Sequence, residues 1–151
     1  MRRAVAFGSA IGAAALLLAG CRADGTAPTA PDDRIQVTLD GIELDVEVAD
    51  DAAERAIGLM NRDAVPPGTG MIFRYDQAVD ARFYMFQVSV PLRAVFIRDG
   101  RVVSSVVMPP CPLADPQACP TYGADGPFDT VVETAPETLP DVAPGDVLTV
   151  E

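Results

Sequence analysis

The sequence predicts a mainly β domain, a small sandwich or partly closed barrel with one short α-helix. Short apolar runs recur from Ile35 onward, several alternating apolar with polar residues as a half-buried strand does. The connections between them are rich in proline and glycine, 14 and 12 in the whole chain, which suits many short strands joined by turns. Helical spacing occurs convincingly once after the first 33 residues, and a chain of 151 residues has room for one hydrophobic core.

The elements follow in order. Ile35, Val37 and Leu39 alternate with polar residues, Asp40-Gly41 provides a two-residue turn, and Ile42, Leu44, Val46 and Val48 alternate again, so the domain opens with a hairpin. Glu43, Asp45 and Glu47 fall on the opposite face of the second strand, which makes that face solvated and acidic. Asp51-Ala52-Ala53-Glu54 has the spacing of a capping box, and Ala53, Ala56, Ile57 and Met60 repeat at helical intervals, predicting a helix of about ten residues. Pro66-Pro67 must end it, and Gly68-Thr69-Gly70 returns the chain to a strand at Met71-Ile72-Phe73. Further strands are expected at 82–88, 94–97, 102–107, 128–134 and 147–151, with Asp99-Gly100 and Pro144-Gly145-Asp146 as turns.

The N-terminus reads as an address. Arg2 and Arg3 precede an apolar run over 4–20, too short for a membrane span, that ends in Leu18-Ala19-Gly20-Cys21. This resembles the lipobox of bacterial lipoproteins, which implies a signal peptide over 1–20, diacylation with palmitate-type chains at Cys21 and a membrane anchor. Residues 21–33 lack apolar periodicity and read as a flexible tether to the domain at 34–151. The expected location is the cell envelope on the extracytoplasmic side. Arg22, in place of the Asp that resembles an inner-membrane retention signal, tilts toward the outer membrane in a Gram-negative cell.

Composition removes whole classes of function. Acidic residues number 22 against 11 basic ones, all arginine, and a net charge of −11 opposes any grip on nucleic acid. There is no histidine, so Ser-His and Cys-His nucleophiles and imidazole metal sites are excluded. No phosphate loop, nucleophile elbow, zinc-protease motif or calcium loop occurs, and neither a catalytic residue nor a metal site nor a cofactor is assigned. With Cys21 committed to lipid, Cys111 and Cys119 form an even pair in an oxidising compartment and are expected to be joined. Met60, Met71, Met85 and Met108 with these cysteines would be a soft set for copper, but core filling is the simpler reading of each. The basic minority, Arg55, Arg62, Arg74, Arg82 and Arg93, is expected to pair with local acids, or else to line a cleft for an anionic ligand.

Several motifs occur together: Glu54-Arg55-Ala56-Ile57-Gly58-Leu59-Met60-Asn61-Arg62, Gly70-Met71-Ile72-Phe73, Pro91-Leu92, Met108-Pro109-Pro110-Cys111, Cys119-Pro120-Thr121-Tyr122 and Gly145-Asp146. In this order, from Ile35 to Glu151, they resemble the DUF192 family, also called UPF0127. The resemblance implies a small β fold of jelly-roll character with one short helix, often exported, and no established activity. The chain departs from the family where Phe-Trp-Met-Lys-Asn-Thr and Pro-Leu-Asp are usual. Here it reads Phe83-Tyr84-Met85-Phe86-Gln87-Val88 and Pro91-Leu92-Arg93.

The function expected on these grounds is a membrane-tethered, non-catalytic domain that binds an envelope protein or a small anionic ligand. Arg82, Tyr84, Arg93 and Tyr122 are the expected contacts, on one concave surface where the helix, 82–88 and the proline-rich segment meet. The alternatives are a glycan hydrolase, which needs two carboxyl groups about 5 to 9.5 Å apart across a cleft, and a copper-handling protein.

Overall fold

The computed structural model describes residues 33–151. The expected signal segment over 1–20, the expected lipidation site at Cys21 and the expected tether up to residue 32 lie outside the described residues. The first hairpin forms as the alternation requires, β1 (Arg34–Leu39) pairing antiparallel with β2 (Ile42–Ala49). Its turn residues Asp40 and Gly41 both take positive φ, 53° and 73°, the conformation that matches the twist of the flanking strands. The same device recurs at Asp99-Gly100, with φ 51° and 74°, between β5 (Leu92–Arg98) and β6 (Arg101–Met108).

The helix α1 (Ala52–Ile57) is capped by Asp51, with the reciprocal Glu54 bond of a capping box in place. It has six residues rather than about ten. Gly58 stops it at φ 49°, and a Cβ there would lie 3.3 Å from the Phe73 ring. A glycine can both reverse the chain and abut an aromatic ring. Leu59 is then buried from a turn rather than a helix. The chain re-enters the sheet as β3 (Thr69–Val79), parallel to β2, with α1 in the crossover.

The expected strand over 82–88 shrinks to β4 (Phe83–Tyr84). Beyond it the Met85 carbonyl accepts from both Val88 N and Cys111 N, and Gln87 takes φ 56°, so the segment turns instead of extending. Its partner, β7 (Thr121–Tyr122), lies in the proline-rich segment where no strand is expected. That segment is stapled by the Cys111–Cys119 disulfide, with Cα atoms 5.8 Å apart. The strand β8 (Phe128–Thr134) has the expected bounds, and β9 (Leu148–Val150) closes the series.

The strands β6, β5, β8, β3, β2, β1 and β9 form one curled sheet in that order, with β4 and β7 a separate pair. Of the two expected architectures this is the partly closed barrel. The two ends of the sheet touch at one place, where Val147 bridges Arg101, Val102 N donates to the Asp146 carbonyl and Leu148 N to that of Gly100. The inner face packs Val37, Leu44, Val46, Ile72, Val95 and Val132, sealed by Leu139 and Val142. On the outer face the edge carrying Asp45 and Glu47 is solvated and paired with Arg34 and Arg62. The outer face of the middle strands is apolar, with Met71, Phe73, Ala94, Phe96, Phe128 and Val131, and is covered by the turn after α1, the β4–β7 pair and the disulfide. Among the described residues no helix is long and apolar enough to cross a membrane.

Candidate functional site

The cover on the outer face is incomplete. Between α1 and β4 it leaves a cleft of about 370 Å³. Arg55, Ala56 and the Gly58-Leu59-Met60 turn form one wall, Arg82 to Met85 with Val88 the other, and Phe73, Tyr75 and Glu133 lie between.

Glu133 is the unusual member. Strand alternation on β8 sends Val131 and Glu133 to the outer face and Val132 to the barrel interior. In register, Glu133 lies between Met71 of β3 and Ala94 of β5, both fully buried. It is itself only 6% exposed, and among the described residues no ion pair or hydrogen bond to its carboxylate is found. Burial alone pushes it from the ordinary 4.5 up to about 8. Its position is fixed by close backbone packing: a Cβ on Gly70 would stand 2.1 Å from the Glu133 carbonyl oxygen, so only glycine lets β3 run this near β8.

Tyr75 and Arg55 stand above it. The Arg55 guanidinium lies 4.8 Å from the Tyr75 ring centroid and donates to the carbonyls of Asp50 and Arg74. The Tyr75 hydroxyl is raised from its usual range first by burial, with Arg55 pulling it down and Glu133 pushing it further up. On the other wall Arg82 donates through Nη2 to the Thr121 carbonyl at 2.8 Å, and Tyr84 is 39% exposed. Among the described residues neither Arg55 nor Arg82 has a carboxylate within ion-pairing distance. Of the five arginines expected to pair locally, only Arg62 does so, with Glu47.

The structure therefore brings Arg82 and Tyr84 to the cleft but not Arg93 or Tyr122. Arg93 projects on the other face from Leu92 and Ala94, where it reaches the Pro136 carbonyl and Ser105 Oγ, each at 3.4 Å. Tyr122 is half-buried beside Phe83 in the β4–β7 pair. The proline-rich segment borders a second concavity, with Asn61, Arg62, Gln87, Val88 and Pro110 to Pro112 around it. Val88 lies in both, so the three segments meet across two adjoining hollows rather than one. Glu133 and Tyr75 escape the sequence reading. The signal that could have found Glu133 is an acid sharing the face of Val131 in an otherwise apolar strand.

The cleft contains one carboxylate, Glu133, so a mechanism built on two facing acids has no second member there. The thiols of the soft-metal set are consumed in the disulfide, and Met71 and Met108 are core residues, while Met60 and Met85 line the cleft.

The family model DUF192, described as Uncharacterized ACR, matches residues 35–150. Two solved structures are similar. A protein from Sinorhizobium meliloti 1021, provisionally labelled a transcription regulator, is 25% identical with a TM-score of 0.69, over 82% of this chain and 98% of that one. A protein of unknown function from Novosphingobium aromaticivorans DSM 12444 is 28% identical with a TM-score of 0.64, over 83% and 94% respectively. Among curated proteins no match was found.

Proposed function

From the premise that the chain belongs to the DUF192 family, for which no activity is established, we propose that it is a small-molecule-binding domain held at the cell envelope by lipid on Cys21. One observation carries the reading: a cleft lined by a buried carboxyl group without a protein partner among the described residues and, on its two walls, by Arg55 and Arg82, neither of them ion-paired. A buried acid forced to keep its proton and arginines without an ionic partner are retained at a cost to stability, and binding a complementary ligand offsets that cost. The mixture of aromatic walls and few polar groups is that of a recognition site, and no nucleophile stands beside Glu133. The regulatory label of the Sinorhizobium protein does not carry over as nucleic-acid binding, because a net charge of −11 repels phosphate backbones.

A thermal-shift screen of water-soluble small molecules tests the proposal, comparing the protein with Ala56→Trp, whose indole would fill the mouth of the cleft. A ligand at a hundred times its dissociation constant stabilises by about 2.7 kcal/mol. Shifts that vanish in Ala56→Trp and in Tyr84→Ala, with unchanged melting of the free variants, support the cleft. Shifts that persist in both variants would overturn it.

A further inference from the structure

Resting on that reading of the cleft, we infer that its ligand is a small zwitterion, with a protonated amine that pairs with Glu133 and an anionic group that pairs with Arg82 and Arg55. Each of these three side chains is held in place without an ionic partner among the described residues. Glu133 is fixed by its strand register between Met71 and Ala94. Arg82 is anchored by the Thr121 carbonyl and Arg55 by those of Asp50 and Arg74, so these bonds position the guanidinium groups without neutralising them. A simple anion answers the arginines alone. A simple cation answers an ionised Glu133 but must pass two like charges. A ligand of both signs answers all three groups, its amine pairing with Glu133 as that group ionises, and the Phe73, Phe83 and Met85 side chains favour an apolar body between its ends. The volume of about 370 Å³ is at the small end of ligand sites, in the range of an amino acid or dipeptide.

Proton release distinguishes this ligand class from the others. The charged and titratable groups facing Glu133 are Tyr75 from β3, Arg55 from α1, and Arg82 and Tyr84 from the β4 wall. Tyr75 is raised above its usual range and Glu133 is raised to about 8, which makes Glu133 the group that responds near neutrality. In the empty cleft it holds its proton up to about pH 8. Pairing with an ammonium group ionises it, so binding at pH 7 releases a proton from Glu133.

The test is calorimetry on the full chain in detergent, at pH 7 in two buffers of different ionisation heat. The probes are leucine, methionine, phenylalanine and their dipeptides, the N-acetyl and C-amide forms of each, hexanoate and hexylamine. Binding of unmodified zwitterions with proton release, weakened at least tenfold by either blocking group, is expected. Glu133→Gln should lose the penalty for N-acetylation and the proton release while melting no lower than the parent, and Arg82→Ala should lose the penalty for C-amidation. Hexanoate binding as well as the zwitterions, or zwitterion binding without proton release, overturns the ligand class. The cleft reading survives either result if Ala56→Trp still abolishes binding. No binding by any probe overturns both.

Discussion

An unfolded glutamate ionises near pH 4.5, whereas Glu133 in the folded domain keeps its proton to about pH 8. Below 4.5 both states are protonated and stability is at its fullest with respect to this group. Between the two values the unfolded chain releases a proton that the folded chain retains, so stability falls as pH rises and levels off above 8. Glu133→Gln removes that window. Urea titrations at pH 4.5 and 8.5 should show equal stability at the lower pH and a variant more stable by roughly 3–5 kcal/mol at the higher. A constant difference across the range would mean that the carboxyl is not desolvated as described. The neighbouring backbone is equally demanding: Gly70→Ala, which drives a methyl group against the Glu133 carbonyl, should destabilise by about 3 kcal/mol in the same titration.

Among the elements, the disulfide loop is the one on which the cleft wall depends. It is followed directly by β7, the partner of Phe83 and Tyr84. Replacing Cys111 and Cys119 with serine should cost about 2.5 kcal/mol by loop-closure entropy. It should also speed amide exchange at Tyr84 and Tyr122 before the central strands respond, and equal protection throughout would show that the wall stands without the staple. Elements whose causes are local were legible in the sequence: the Asp40-Gly41 hairpin, the Asp51–Glu54 capping box and the bounds of β8. Those shortened or missed have distant causes. The helix ends early where Gly58 meets Phe73, fifteen positions along the chain, and β4 is short because Met85 gives its carbonyl to Val88 and Cys111.

For the whole molecule, the site was half legible. Arg82 and Tyr84 stood out because they sit in an aromatic segment, and both reach the cleft. Arg93 lies away from this cleft, on the other face of β5, and composition does not reveal which face an arginine takes beside an apolar run. Glu133 was hidden for the opposite reason, since an acid in a strand ordinarily faces water and only the cover formed by α1 and β4 buries it. The proposed attachment is tested at this scale too. Palmitate labelling in a bacterial host should depend on Cys21, and Cys21→Ala should leave the protein as precursor or release it from membranes. Normal processing and membrane retention of that variant would remove the lipid anchor.

The sheet closes on itself only around Gly100 to Val102, and along the rest of β6 no backbone partner is found on the outer side among the described residues. That open stretch reads Val103-Ser104-Ser105-Val106-Val107, uncharged and strongly β-forming, the composition of an edge prone to pair with another molecule. Self-association by strand addition is therefore the foreseeable failure of this fold. Val107, 44% exposed, is where a single lysine should slow turbidity growth on warming without lowering the melting point.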